Sequence, residues 1–159
     1  MRIFLDASVF LKLFLDEPGA DNAQRILETV ESSRALGYVT PMVLEEVLLK
    51  LVVARASELL STKNLWRIRE ALRVDKRVRQ SCAETARRFY EYIEHMLLGG
   101  LRVEHVTYDD WRQAMEIFER YGLLPADAIH VAVALRVGAG TIATFDEDFR
   151  VVKEVTVIP

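Results

Sequence analysis

Five short β-prone runs, separated by longer stretches with helical spacing, limit the folds open to this chain more than any other feature. They fall at 2–5, 37–40, 101–106, 141–145 and 155–158. Strands that alternate with helices pair in parallel, each returning by a crossover, so helices cover both faces of the sheet. Residues 7–15 are apolar almost throughout and read as a buried helix. Pro18-Gly19 breaks the chain, and Ala23, Ile26, Leu27 and Val30 mark one face of a second helix. Thr40 and Pro41 cap and open a third, apolar nearly all round from Met42 to Ala54. Residues 57–99 are helical without strand signals, broken near Asp75, and read as a helical insertion or arm. Trp111, Ala114, Met115, Phe118 and Tyr121 form the next stripe, which Gly122 ends. Pro125 opens a last helix whose only notable polar side chains are Asp127 and His130.

With 159 residues, 51% of them hydrophobic, the chain has material for one well-buried core, and a single domain over 1–159 is expected. No run of about 18 uncharged apolar residues appears, nor a signal-peptide pattern, so a cytoplasmic protein with no membrane partner is expected. The only cysteine, Cys82, shares an apolar stripe with Ala86, Phe89, Tyr90, Ile93 and Leu97, which suits a buried hydrophobe and excludes disulfides and thiolate metal sites. A net charge of -3 argues against nucleic-acid binding through overall positive charge. Any such contact must be local, and Arg67, Arg69, Arg73, Lys76, Arg77 and Arg79, followed by Arg87 and Arg88, form the one basic cluster.

Acidic residues carry the chemistry. Asp6 and Asp146 each leave a strand, whereas Glu46 and Asp127 lie near the starts of nearly apolar helices. In a parallel sheet those positions share the carboxyl edge, where open α/β folds bind ligands. Individually each has a plainer reading: Asp6 as a helix cap, Glu46 and Asp127 as acids favoured by the helix dipole, Asp146 and Asp148 as a polar turn. Jointly they would repel by roughly 4 kcal/mol per pair at 4 Å and an effective dielectric near 20, so the cluster calls for a cation. Oxygen ligands without cysteine suit Mg²⁺ or Mn²⁺. Such ions serve metal-assisted phosphodiester hydrolysis.

The order Asp6 in LDASVF, Glu46 in TPMVLEEVLLK, Asp127 in LPADAIHVAVA and Asp146 in TFDEDF resembles the PIN-domain nucleases, and among them the compact VapC-like toxins. The resemblance spans nearly the whole chain. It implies a three-layer α/β/α fold with a central parallel sheet, a Mg²⁺- or Mn²⁺-dependent ribonuclease acting on RNA, a homodimer, and a small VapB-like antitoxin that blocks the site. It also implies that Asp6, Glu46, Asp127 and Asp146 are the metal-binding catalytic acids, with Ser8 and Thr144 supporting the first and last. Glu46 is selected over its neighbour Glu45 by the resemblance alone, and Asp148 stands as an alternative or additional ligand to Asp146. His130 is expected to be packed and hydrogen-bonded rather than a substrate contact. Ser8 lacks a neighbouring histidine to make it a nucleophile.

A haloacid-dehalogenase phosphatase needs a second aspartate where this chain has Ser8. Gly138-Ala139-Gly140 lacks the full dinucleotide fingerprint, so no further cofactor is expected. The remaining alternative is a catalytically silent scaffold that binds RNA or a protein through the same fold.

Overall fold

The computed structural model describes residues 1–159. Strand β1 (Arg2–Leu5) lies at the centre of a five-stranded sheet with β2 (Leu36–Val39), β3 (Leu101–Val103), β4 (Thr141–Ala143) and β5 (Thr156–Ile158), in the order β3-β2-β1-β4-β5. All four pairings are parallel. The central position explains the unbroken apolar run Ile3-Phe4-Leu5, buried throughout, because a strand covered on both faces cannot alternate polar and apolar. Several strands are shorter than the β-prone runs, since each run continues into a cap or turn.

Helices α1 (Ala7–Phe14), α2 (Ala20–Glu31), α3 (Pro41–Leu60) and α5 (Lys76–Leu98) pack against one another, while α6 (Tyr108–Tyr121) packs on α7 (Pro125–Arg136). This gives the α/β/α layers. The strand order reverses at β1, between β2 and β4, which puts a crevice at the carboxyl ends of β1 and β4. One core of 34 residues runs through the layers.

The helical arm is smaller than the stretch 57–99. Its tip, α4 (Leu65–Val74), rests on the adjoining parts of α3 and α5 through a separate core of Ala56, Ile68, Val78 and Cys82. The second half of α5 belongs to the main body, where Phe89, Ile93 and Met96 are buried. Tyr90 and Leu97, expected on the same stripe as Cys82, face outward. Gly99 and Gly100 let the chain pass close under α2: a Cβ on Gly100 would lie 2.3 Å from the Ala35 carbonyl oxygen and 2.6 Å from that of Val30.

Helix α6 departs from the expected stripe. Its buried face is Asp110, Ala114 and Ile117, whereas Trp111, Met115 and Phe118 are exposed beside Tyr108. The buried acid explains the rotation. Asp110 accepts from the Thr107 backbone N–H and hydroxyl in a capping box, and from Arg136 Nε at 2.9 Å, tying the start of α6 to the end of α7. Burial alone would raise the Asp110 carboxyl, yet the Thr107 and Arg136 donors hold it below the ordinary carboxylate value.

Candidate metal centre

Asp6 is the residue after β1, and its amide donates to the Ala143 carbonyl of β4, continuing the sheet by one bond. Its side chain caps α1, accepting from the Ser8 amide at 3.1 Å. The cap is only part of its environment. The same oxygen, Oδ2, also accepts from the Ser8 hydroxyl at 2.6 Å and the Thr144 hydroxyl at 2.8 Å. All three bonds fall on one oxygen, so Asp6, nearly buried, has its other oxygen available for a ligand.

Ser8 and Thr144 lock the two strand exits together. Ser8 Oγ accepts from the Phe145 amide at 2.9 Å and lies 3.2 Å from Thr144 Oγ1, which accepts from the Asp146 amide at 3.0 Å. Asp146 in turn accepts from the Asp148 amide and caps the short 3-10 turn Glu147–Val151. With its hydroxyl so engaged, Ser8 positions Asp6 and is not poised for attack.

Glu46 and Asp127 reach this edge from two helices. Thr40 caps α3 by accepting from the Val43 amide, and prolines open both α3 and α7. Asp127, in the first turn of α7, carries the clearest electrostatic signature of the chain. Burial, then the charges of Asp6, Asp146, Glu46 and Asp148 in that order, push its carboxyl from 3.8 up to about 6. No hydrogen bond or opposite charge offsets them. Glu45 is absent from that set and exposed, whereas Glu46 is half-buried.

Glu46 has a basic partner that the sequence reading did not supply: Lys50 Nζ lies 2.5 Å from Glu46 Oε1, one helical turn on. The spacing of four residues was the available signal. Lys50 also shares a cleft with Ser8, Lys12, Phe145 and Asp146, where Lys12 is paired with Glu17 at 3.0 Å and Glu147 adds a further acid.

His130, one turn after Asp127, is packed as expected, with 1% exposure and its ring 5.6 Å from that of Phe4. The expected hydrogen bond is missing, since both ring nitrogens are buried without a partner. Burial holds the imidazole below its ordinary pKa, against the opposing charges of Asp6 and Glu46.

No three of the histidine, cysteine, aspartate and glutamate side chains stand close enough together to make a finished cage. Four acids nonetheless act on Asp127 across the crevice, and nothing positive stands beside it. An all-oxygen donor set with a spare Asp6 oxygen and an uncompensated Asp127 fits a hard divalent cation.

The model of the PIN domain family matches residues 3–155. Ribonuclease VapC6 of Methanocaldococcus jannaschii is 25% identical over 158 residues, with 99% of this chain and 96% of that protein covered. Among solved structures, VapC20 of Mycobacterium tuberculosis, a sarcin-ricin loop cleaving toxin, superposes with a TM-score of 0.63 at 24% identity over 99% of each chain. VapBC2 of Rickettsia felis, bound to a DNA fragment from its promoter, gives 0.61 at 14% identity over 99% of this chain and 98% of the other. A toxin–antitoxin complex from Klebsiella pneumoniae gives the same score and identity over 99% and 96%. These structural likenesses show the three-layer fold. No helix of the chain is long and apolar enough to cross a membrane.

Proposed function

The chain belongs to the PIN-domain family, and from that premise we propose that residues 1–159 act as one domain, a metal-dependent endoribonuclease and the toxin of a toxin–antitoxin pair. The observation that carries this is Asp127, a carboxyl lifted to about 6 by burial and four neighbouring acids with no base to relieve it. A protein gains nothing in stability from such an arrangement; its use is to hold a cation.

Asp6, Glu46, Asp127 and Asp146 are the residues that would hold Mg²⁺ or Mn²⁺, with Asp148 beside Asp146 as a further ligand. When bound, the ion supplies the positive charge that polarises a phosphodiester and eases the ionisation of water. Ser8 and Thr144 keep Asp6 in one orientation by occupying Oδ2. Thr144 also fixes the approach of Asp146 by accepting from its amide. Lys50 steadies Glu46, and Lys12, paired with Glu17, lines the same cleft. The exposed arginines of α4 and α5 are the local positive charge proposed to meet the phosphate backbone on a protein whose total charge is negative.

The partner proteins follow from the same family. VapBC2 of Rickettsia felis is a complex, and an antitoxin of the VapB kind is the partner proposed for this chain. A second copy is proposed to pack on the apolar surface, which includes the exposed α6 row Tyr108, Trp111, Met115 and Phe118.

The deciding experiment incubates labelled RNA and Mn²⁺ with the native chain and with Asp6→Asn. Cleavage by the first and not the second is expected. Equal outcomes in the two samples would leave the silent scaffold as the better reading.

A further inference from the structure

The tip of the helical arm carries a charge opposite to that of the rest of the molecule. Between Lys63 and Arg79 stand seven lysines and arginines against two acids, a surplus of five positive charges in 17 residues of a chain whose net charge is -3, so the remainder carries -8. The one ion pair among these cations is that of Arg73 with Glu70, at 3.9 Å. In their midst stands an aromatic ring, Trp66, 71% exposed. Ile68, which anchors α4 to Ala56, Val78 and Cys82, follows it by two residues, about 200° around the helix, so Trp66 points away from the arm's core. It shares that outer face with Arg69 and Arg73, three and seven residues on. The other tryptophan, Trp111, stacks on Tyr108, whereas no ring or cation of the chain covers Trp66. Asn64 caps α4 and Asp75 caps α5, so ring and cations are held in place before anything binds.

A lipid surface would need an apolar helix face, and α4 turns its own inward. An open ring among cations matches a single-stranded nucleic acid, whose bases stack on the ring while its phosphates meet the cations. The position agrees. Lys50 lies both in the cleft with Ser8 and Asp146 and in an apolar groove with Lys63 and Leu65, so the acid crevice opens onto a groove that ends at the start of α4. We infer that Trp66 is a stacking platform for an unpaired base of the RNA, and that the arm holds the strand while another part of it lies at the acids. The choice of RNA rests on the ribonuclease reading. The platform also narrows the substrate class: the RNA must offer an unpaired nucleotide near the bond to be cut, since a base inside a duplex has both faces taken by its neighbours.

The test uses Asp6→Asn, which spares the RNA, combined with Trp111→Phe so that Trp66 is the only tryptophan. A single-stranded adenosine dodecamer should quench its emission. The same dodecamer paired with a uridine dodecamer should not, nor should poly-glutamate, which has the charge without the bases. By fluorescence anisotropy of labelled RNA, Trp66→Ala should weaken binding about tenfold, the worth of one base stacked on an aromatic ring. Trp66→Leu, apolar but without a ring, should be as weak, and Trp66→Phe should recover most of the loss. Urea unfolding of all three should match the parent, because the ring lies outside the arm's core. Arg69→Gln with Arg73→Gln should lower the slope of log affinity against log salt by about one unit. Leucine binding as well as tryptophan, an emission unchanged at saturating RNA, or equal quenching by duplex or poly-glutamate overturns the inference. Cleavage by the native chain with Mn²⁺ is read in parallel. Its absence while quenching persists overturns the ribonuclease reading and leaves this contact standing, whereas cleavage without quenching overturns the contact alone.

Discussion

Asp127→Asn should stabilise the metal-free protein at neutral pH and abolish its activity in the same stroke. The magnitude follows from the carboxyl raised from 3.8 to about 6. A raised acid binds its proton more tightly folded than unfolded, so its favourable contribution is complete below pH 3.8 and disappears as pH climbs through about 6. Two units correspond to about 3 kcal/mol of destabilisation at pH 8, and about 2 kcal/mol once salt screening of a half-buried group is allowed for. For a chain of this size that is about 4–8 °C in Tm. Thermal unfolding of both proteins in EDTA should therefore show the variant melting higher at pH 8, with the gap closing toward pH 4. Saturating Mn²⁺ should reverse the order, because only the native site gains; at a hundred times Kd the gain is about 2.7 kcal/mol. Melting of the variant at or below the native protein at pH 8 would refute the claim that burial and the neighbouring acids strain Asp127.

Four further outcomes can be measured. Thr144→Val removes a hydroxyl bond to Asp6 and the acceptor for the Asp146 amide, and should cost about 1.5–3 kcal/mol in urea unfolding with weaker Mn²⁺ binding by calorimetry. Gly100→Ala drives a Cβ into two backbone carbonyls and should lower stability by at least about 1–3 kcal/mol, since backbone cannot yield as a side chain can. Arg136→Met strands the charge of Asp110, 1% exposed, and should cost about 3–5 kcal/mol at pH 7. Because Arg136 helps hold Asp110 below 3.8, that deficit is present above this value and should shrink as the carboxyl is protonated in stronger acid. Reversing Lys76 and Arg77 to glutamate should flatten the salt dependence of RNA binding by about one unit of slope or more while leaving unfolding unchanged.

Much of the fold was legible because its determinants are local. The apolar run after Met1, the prolines at 41 and 125, the cap at Thr40 and the glycine after α6 each act within a few residues, and strands separated by helices leave little choice but a parallel sheet. The α6 stripe misled because Trp111, Met115 and Phe118 have core-like composition, while the face turned inward is chosen by Asp110, whose partner Arg136 is 26 residues away. The arm was overdrawn for the same kind of reason: the second half of α5 is claimed by the sheet layer, which hydropathy cannot express.

Sequence alone determined which acids were out of place, since a carboxylate in apolar text is costly wherever the chain puts it. Only the tertiary structure decided how they are used. It set three donors on a single oxygen of Asp6, turned Glu46 rather than Glu45 toward Asp127, gave Glu46 a lysine, and left the nitrogens of His130 unpartnered. Those outcomes depend on which strand ends lie side by side. Adjacency of β1 and β4, separated by more than a hundred residues, is fixed by packing of the whole chain and is written in no local stretch of it.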